Sequence, residues 1–325
     1  MKLKRRRFLY LAAGAAAFPA ASRLANTQTY PNRPVRFIVS FAAGGPNDIV
    51  ARLVGQFLSE KMGQQFVIEN KVGAGGNIGM QAVLGAPPDG YTIGFVTPNN
   101  AINATLYDNL PFDFIRDSTP VAGLMRLTNV MVVPPSLPVT NVAEFIAYVK
   151  ANPAMVNMAS GGTGTSPHMS GELFKQMAGI NMIHVPYRGT GPAMNDLLPG
   201  RVQVMFDNLP GSIEHIRTGK LRALGVTVPK RWDALPDVPA IAETLPGYEV
   251  TVWYGISAPK ATPPDIVENL NAAVTAVLAD PKLKLRLAGL GGVSMPILPA
   301  EFGKLIADET EKWAKVVKLS GVKPE

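Results

Sequence analysis

Cysteine is absent from this chain of 325 residues, and histidine occurs only three times. Without cysteine there is no disulfide and no thiolate ligand, so packing alone must stabilise the fold, and a chain of this length buries enough apolar surface for that. His168, His184 and His215 show none of the spacings typical of a metal site. We therefore predict no metal and no cofactor.

Three motifs of nucleotide-binding proteins and hydrolases are also missing. Two glycine-rich turns, 41–48 and 160–166, are not followed by the lysine of a P-loop, and neither has the spacing of a dinucleotide-binding fingerprint. Ser166 does not have glycines both two residues before and two residues after it, so it is not on a nucleophile elbow. The sequence therefore predicts no enzymatic turnover.

Net charge is small once the N-terminus is set apart. The formal net charge is +7, but six positive charges lie in residues 1–25, which contain no acidic residue, so +1 remains for the rest. Proteins that bind nucleic acid normally cluster Lys and Arg on one face. We therefore expect no nucleic-acid partner.

Residues 1–29 have the pattern of an export signal. A charged head at 2–7 precedes an apolar run at 8–17 that is too short to span a bilayer. Residues 5–9, Arg-Arg-Arg-Phe-Leu, match the twin-arginine consensus, and an ordinary secretory signal is the alternative. We predict a periplasmic protein released by signal cleavage, although no clear small-x-small pair in residues 20–29 marks the cleavage site.

The rest of the chain predicts an α/β fold. Short β-rich segments, including separate strands at 121–125 and 130–133, alternate with amphipathic helical patterns, which is typical of mainly parallel sheets flanked by helices. The last part is mostly helical and should pack back on the first sheet. We predict one lobe from 30–126 plus 252–325, a second lobe from 127–251, and a hinge where the chain crosses twice.

The two glycine-rich turns are the strongest candidates for a binding site. Each lies between an apolar strand and an amphipathic helix, so unpaired amides at the helix start point at the turn, as in sites for carboxylate or phosphate. The alternative for either turn alone is a simple strand-to-helix connection. The candidate ligand-binding residues of these turns are Phe41, Ala42, Ala43, Gly44, Asn47, Asp48, Ser160, Gly162, Thr163, Gly164, Thr165 and Ser166.

Some of these candidates also have structural interpretations. Asp48, in the first turn of its helix, is expected mainly to hold its loop through amide hydrogen bonds. Thr165 or Ser166 is expected to cap the helix that follows.

Further candidates, with roles left open, are Asn99, Tyr187, Arg188 and Asp207. Asn99 ends a strand and is interpreted as part of a turn, with a position facing the cleft as the alternative. Arg188 either meets a second ligand carboxylate or is a solvated arginine. Asp207 either caps the next helix or pairs with an ammonium or hydroxyl group of the ligand.

Short motifs in a fixed order along residues 30–325 resemble the Bug family, the extracytoplasmic solute-binding proteins of tripartite tricarboxylate transporters. These motifs are Pro34-Val35-Arg36 before Gly44-Gly45, Val67-Ile68-Glu69-Asn70-Lys71, Gly73-Ala74-Gly75-Gly76-Asn77-Ile78-Gly79, Asp89-Gly90-Tyr91-Thr92, Gly164-Thr165-Ser166-Pro167-His168, His184-Val185-Pro186-Tyr187-Arg188-Gly189, Phe206-Asp207-Asn208-Leu209 and Leu235-Pro236-Asp237-Val238-Pro239.

The resemblance implies a two-lobed fold of the periplasmic-binding-protein type (type II) that closes on a small organic acid. The acid would be a di- or tricarboxylate, an aromatic acid or an acidic amino acid, held by amides and water from turns 41–48 and 160–166. A monomer that delivers its ligand to membrane permease subunits is expected. The alternatives are a ligand sensor for a membrane signalling receptor and an exported carboxylate-processing enzyme.

Overall fold

The computed structural model describes residues 30–153 and 155–323, so the predicted export signal at 1–29 lies outside the described residues. Ten strands form one mixed sheet. They are β1 (Val35–Val39), β2 (Phe66–Asn70), β3 (Thr92–Val96), β4 (Ser118–Val133), β5 (Asn157–Ser160), β6 (Ile183–Pro186), β7 (Val204–Asn208), β8 (Arg222–Val226), β9 (Thr251–Pro259) and β10 (Val293–Ser294).

The helices pack on the two faces of this sheet. They are α1 (Pro46–Met62), α2 (Asn77–Leu84), α3 (Pro98–Leu106), α4 (Phe114–Asp117), α5 (Val142–Ala151), α6 (Ser166–Ala178), α7 (Thr190–Leu197), α8 (Leu209–Arg217), α9 (Pro264–Ala279), α10 (Pro281–Gly289) and α11 (Pro299–Ser320). Among residues 30–153 and 155–323, no helix is both long and apolar enough to cross a membrane.

The strand order is β2-β1-β3-β9-β4-β7-β5-β6, and β8 and β10 also pair with β4. The outer strands are parallel, since β1 pairs in parallel with β2 and β3, and β5 does so with β6 and β7. The central strands β4 and β9 run antiparallel to their neighbours. The α/β fold is confirmed, with a sheet that is mixed at its centre.

The prediction of separate strands at 121–125 and 130–133 is wrong, because β4 is one strand of 16 residues. The buried polar residue Asn129 in this strand is hydrogen-bonded to residues that are distant in the sequence. The Asn129 amide nitrogen donates to Thr227 Oγ1 at 3.1 Å, and Asn129 Nδ2 donates to Ser170 Oγ at 2.9 Å. β4 pairs with β9 along residues 118–128 and with β7 and β8 along residues 129–133.

The C-terminal helix α11 contacts two hydrophobic clusters. Phe302 lies in a cluster with Ile38 of β1, whereas Trp313 lies in a cluster with Phe145 of α5. The helix therefore packs on both ends of the sheet. The division into lobes, with 252–325 in the first, stays a prediction.

Candidate functional site

The first glycine-rich turn, 41–48, is held by side chains that flank it. Asp48 Oδ2 accepts a hydrogen bond from the Gly44 amide at 2.9 Å, and Asn70 Nδ2 donates to the Phe41 carbonyl at 2.9 Å and to Asp48 Oδ1 at 3.0 Å. Arg52 forms an ion pair with Asp48. Burial favours a higher pKa of Asp48, but the hydrogen bonds from Arg52, Gly44 and Asn70 outweigh it and lower the pKa. The structural role predicted for Asp48 matches these contacts.

The second turn, 160–166, is held in a similar way. Ser160 Oγ accepts from the Gly162 amide at 3.1 Å and lies 2.6 Å from His184 Nε2. Thr165 Oγ1 donates to the Gly162 carbonyl at 2.7 Å and accepts from the His168 amide at 3.4 Å. Thr165 is thus the N-cap of α6, as expected for one of the two candidates.

Two stacked imidazoles support this second turn. The rings of His168 and His184 are parallel within 14° and their centroids are 3.8 Å apart. His168 Nδ1 accepts from the Gly164 amide at 3.2 Å, so this nitrogen carries no proton. Burial lowers the pKa of His184 to about 3. His184 is therefore neutral near pH 7 and serves as a hydrogen-bond partner of Ser160.

A third segment, 73–76, meets the two turns and was not among the predicted site residues. All four of its residues have positive φ, between 47° and 132°. A Cβ at Gly75 would lie 2.4 Å from the Thr163 carbonyl oxygen, and one at Gly76 would lie 3.0 Å from the Phe41 ring. The glycines allow this close approach. The run of glycines was visible in the sequence, but nothing local indicated which turns it would contact.

The three segments border a cavity of about 330 Å³, which we call the main cavity. Its lining residues are Ser40, Phe41, Gly73, Ala74, Gly75, Gly76, Tyr107, Gly161, Gly162, Thr163, Pro186, Tyr187 and Arg188. Arg188 is the one charged residue in this lining, and no described residue forms an ion pair with it. The main cavity therefore favours an anion.

Two buried hydroxyls of the main cavity have no hydrogen-bond partner among the described residues. Ser40 and Thr163 are each 5% exposed, and their hydroxyl oxygens, Ser40 Oγ and Thr163 Oγ1, are buried. Buried polar groups are normally hydrogen-bonded, and leaving one unpaired costs about 1–3 kcal/mol. Sequence reasoning missed Ser40. The signal that could have identified it is a polar residue directly after the apolar strand β1.

The predicted candidates divide among three places along the crevice. Those that line the main cavity are Phe41, Gly162, Thr163, Tyr187 and Arg188. Asn47, Asn99 and Thr165 line a narrow gap beside it. Ala43, Gly44 and Asp207 line a neighbouring cavity of about 430 Å³, which we call the second cavity.

The remaining candidates are in contact with other parts of the protein. The hydroxyl of Ser160 and the amide of Gly164 are hydrogen-bonded inside the second turn. The Ala42 amide nitrogen would lie 3.0 Å from a Cβ at Gly189, so the backbones of these two residues are in close contact.

The interpretation of Asn99 as a turn residue is wrong, since Asn99 lies in the first turn of helix α3. Thr97 is the N-cap of this helix, and its side chain accepts from the Asn99 amide at 3.3 Å. Asn99 Oδ1 accepts from the Ser166 amide at 2.8 Å. One helix-start amide of α6 is thus paired with Asn99. The Ser166 hydroxyl in turn accepts from Asn208 Nδ2 at 3.1 Å.

The capping interpretation of Asp207 is also wrong. Helix α8 begins at Leu209 with Asn208 at its N-cap position and has no side-chain cap. Instead, Asp207 Oδ2 accepts from Ser212 Oγ, one turn into that helix, at 2.5 Å. In the part of the chain that the structure describes, no group of three or more His, Asp or Glu side chains could hold a metal ion.

Comparison with known proteins identifies relatives along the whole described chain. A family model described as "Tripartite tricarboxylate transporter family receptor" matches residues 50–322. Protein BugT of Bordetella pertussis is 34% identical over 318 residues, which cover 97% of this chain and 96% of that protein.

Two solved structures are similar over their full lengths. Rpa4515 of R. palustris with adipate is 39% identical with a TM-score of 0.88, over 91% of this chain and 100% of that one. MatC (Rpa3494) of Rhodopseudomonas palustris with bound malate is 34% identical with a TM-score of 0.85, over 89% and 100% of the two chains.

Proposed function

This chain belongs to the tripartite tricarboxylate transporter receptor family, the Bug proteins, and on that basis we propose that it captures a small dicarboxylate in the main cavity. The family resemblance predicted from sequence motifs is confirmed. Its members are periplasmic solute-binding receptors, not enzymes. The identity of the ligand and its mode of binding are the proposal.

The observation that carries the proposal is the pair of unpaired hydroxyls. Ser40 follows β1 before the first turn, and Thr163 lies in the second turn, so the two approach one cavity from separate segments of the chain. Both hydroxyls are buried and unpaired, so a turn of either side chain toward the main cavity would let it donate to a carboxylate. Charge-assisted hydrogen bonds contribute about 1.5–3 kcal/mol each. Micromolar affinity needs about 8 kcal/mol net. Four to six such bonds, including amides of the turns, are sufficient after the cost of immobilising the ligand.

Arg188 supports a second carboxylate on the ligand. Arg188 is an exposed residue that lines the main cavity, and this lining contains no acidic residue. A volume of about 330 Å³ is at the lower end of the range for ligand pockets, which favours a short molecule. Adipate and malate, which are bound by two relatives, are both short dicarboxylates.

In the proposed mechanism, the ligand stabilises contact between the two turns. Residues of both sides already meet across the crevice, as in the bond between Asn99 Oδ1 and the Ser166 amide. A ligand that binds the closed arrangement more tightly than an open one shifts the population toward closure. The closed receptor then delivers its ligand to the permease subunits of a tripartite transporter.

Titration calorimetry against short dicarboxylates, tricarboxylates, aromatic acids and acidic amino acids tests this function. We expect micromolar binding of at least one short dicarboxylate and a smaller radius of gyration by X-ray scattering when it is added. A panel in which no acid binds would contradict the proposal.

Arg188→Gln is expected to weaken adipate binding roughly tenfold to a hundredfold, because it removes charge-assisted hydrogen bonds to one carboxylate. Hexanoate, which has the same chain length and one carboxylate, should bind the variant and the native protein alike. Arg116→Gln, which removes an exposed arginine paired with Asp117 outside the main cavity, is the matched control and should leave both affinities unchanged. Equal loss for both acids would place the first carboxylate at Arg188 instead.

A further inference from the structure

The second cavity differs in charge from the main cavity. It is lined by the first turn, by the start of α7, and by Asp207 and His215, and it contains no Lys or Arg. The two cavities are separated where the first turn meets the start of α7. A Cβ at Gly191 would lie 3.4 Å from the Ala43 carbonyl oxygen, and one at Gly45 would lie 3.4 Å from Thr190 Oγ1.

Asp207 is a fully buried carboxyl group at the end of β7. Asp207 is 0% exposed, and its Oδ2 accepts a hydrogen bond from Ser212 Oγ. Oδ1 has no hydrogen-bond partner among the described residues. Because this oxygen is itself buried, a metal ion or an ammonium group cannot contact it without displacing protein atoms, whereas a proton needs no such space. A proton is therefore the ligand that fits.

The first turn covers this carboxyl group. A Cβ at Gly211 would lie 2.5 Å from Asp207 Oδ2 and 3.3 Å from Pro46 Cδ, so Pro46 and the carboxyl group both adjoin the same position of this glycine. Pro46 begins α1, whereas Asp207 belongs to β7. Separation of the two sides of the crevice would remove Pro46 and admit water to Asp207.

The surroundings supply no positive charge to stabilise a carboxylate. Tyr254 approaches from β9, and its own pKa is raised by burial and by the charge of Asp207. His215 on α8 has a pKa lowered by burial, with Lys220 adding to this and Glu214 opposing it.

The charged side chains at the start of α1, Asp48 and Arg52, pair with each other. β4 faces Asp207 with Val130, which is apolar. Burial therefore raises the pKa of Asp207 to about 7, against the hydrogen bonds from Ser212 and the Asn208 amide.

We propose that closure of the crevice on its ligand takes up one proton from solvent at the Asp207 carboxylate. The inference rests on the proposed function, because it needs a crevice that opens and closes with ligand. In the open form the solvated carboxyl group would have an ordinary pKa near 3.9. The closed form therefore holds more protons between about pH 4 and pH 7, and ligand affinity rises as pH falls through that window.

Calorimetry with adipate in two buffers of different ionisation enthalpy at pH 6 measures this proton. We expect uptake of about one proton per adipate, and an affinity about tenfold higher at pH 6 than at pH 8. Asp207→Asn keeps an oxygen for Ser212 to donate to, and it should remove both the uptake and the pH dependence. The difference between the native protein and this variant corrects for protonation of adipate itself.

Two further variants give matched comparisons. His215→Asn changes the other titratable group of the second cavity and should retain the uptake. Ser212→Ala removes a hydrogen bond that favours the charged form, so it should move the pH dependence to higher pH. Ser212→Ala also tests the inference if Asp207→Asn does not fold.

Adipate binding without proton uptake would overturn this inference and leave the proposed function in place. Uptake that persists in Asp207→Asn would also overturn it, since the proton would then bind elsewhere. Failure of every acid to bind would instead overturn the proposed function on which the inference rests.

Discussion

Gly164→Val is expected to abolish ligand binding while the protein still folds cooperatively. Gly164 has φ +78°, and a Cβ at this position would lie 2.2 Å from Asn103 Oδ1 and 2.8 Å from Leu106 Cδ2. Asn103 cannot move aside freely, because it is 2% exposed and its Nδ2 donates to the Gly75 carbonyl and to Asn77 Oδ1. The added side chain would displace the second turn or segment 73–76, and both line the main cavity.

We expect the affinity of Gly164→Val for adipate to fall by at least about a hundredfold, or about 3 kcal/mol. A matched control is Gly179→Val at the other end of α6. Gly179 also has a positive φ, +61°, but a Cβ there meets nothing within 4 Å. Both variants carry the backbone cost of a left-handed residue, about 1–2 kcal/mol, and only the first should lose binding. Native affinity in Gly164→Val would remove the second turn from the site.

Ser40→Ala and Thr163→Val are expected to weaken adipate binding roughly tenfold to a hundredfold each, because each removes one charge-assisted hydrogen bond to the ligand. Neither hydroxyl has a partner among the described residues, so neither change should lower the free energy of unfolding of the ligand-free protein. The double variant should bind more weakly than either single one, without strict additivity because both hydroxyls would contact one ligand.

Thr262→Val is the matched control for these two changes. Thr262 is equally buried, but its hydroxyl donates to the Pro259 carbonyl at 2.7 Å, outside the main cavity. Its removal should lower stability by about 1 kcal/mol and leave affinity unchanged. Calorimetry and chemical denaturation together distinguish the two patterns. A loss of stability without a loss of affinity in Ser40→Ala and Thr163→Val would mean that the hydroxyls support the fold and not the ligand.

Secondary-structure elements whose boundaries are set by neighbouring residues can be predicted from local sequence patterns. The bounds of helices α2 and α5 have such local causes, because α2 ends before Gly85 and α5 begins after the N-cap residue Asn141. Strand β4 was not predicted as one strand. Its buried polar residue Asn129 is paired with Thr227 and Ser170, and such distant partners leave no trace in a short window of sequence.

The site could be predicted only in part for the same reason. Glycine-rich turns are a local signal, and both predicted turns contribute residues to the main cavity. The unpaired hydroxyl of Ser40 and the burial of Asp207 depend on which segments meet, so they follow from tertiary structure alone. Segment 73–76 is rich in glycine, which is a local signal, but nothing in its sequence indicated that it would contact the two turns.

A crystal structure of the protein with adipate tests the central claim most directly. The account predicts one carboxylate of adipate within hydrogen-bonding distance of both Ser40 Oγ and Thr163 Oγ1, and the other carboxylate at Arg188. A carboxylate that contacts only one of the two turns, or a ligand seated outside the main cavity, would contradict it.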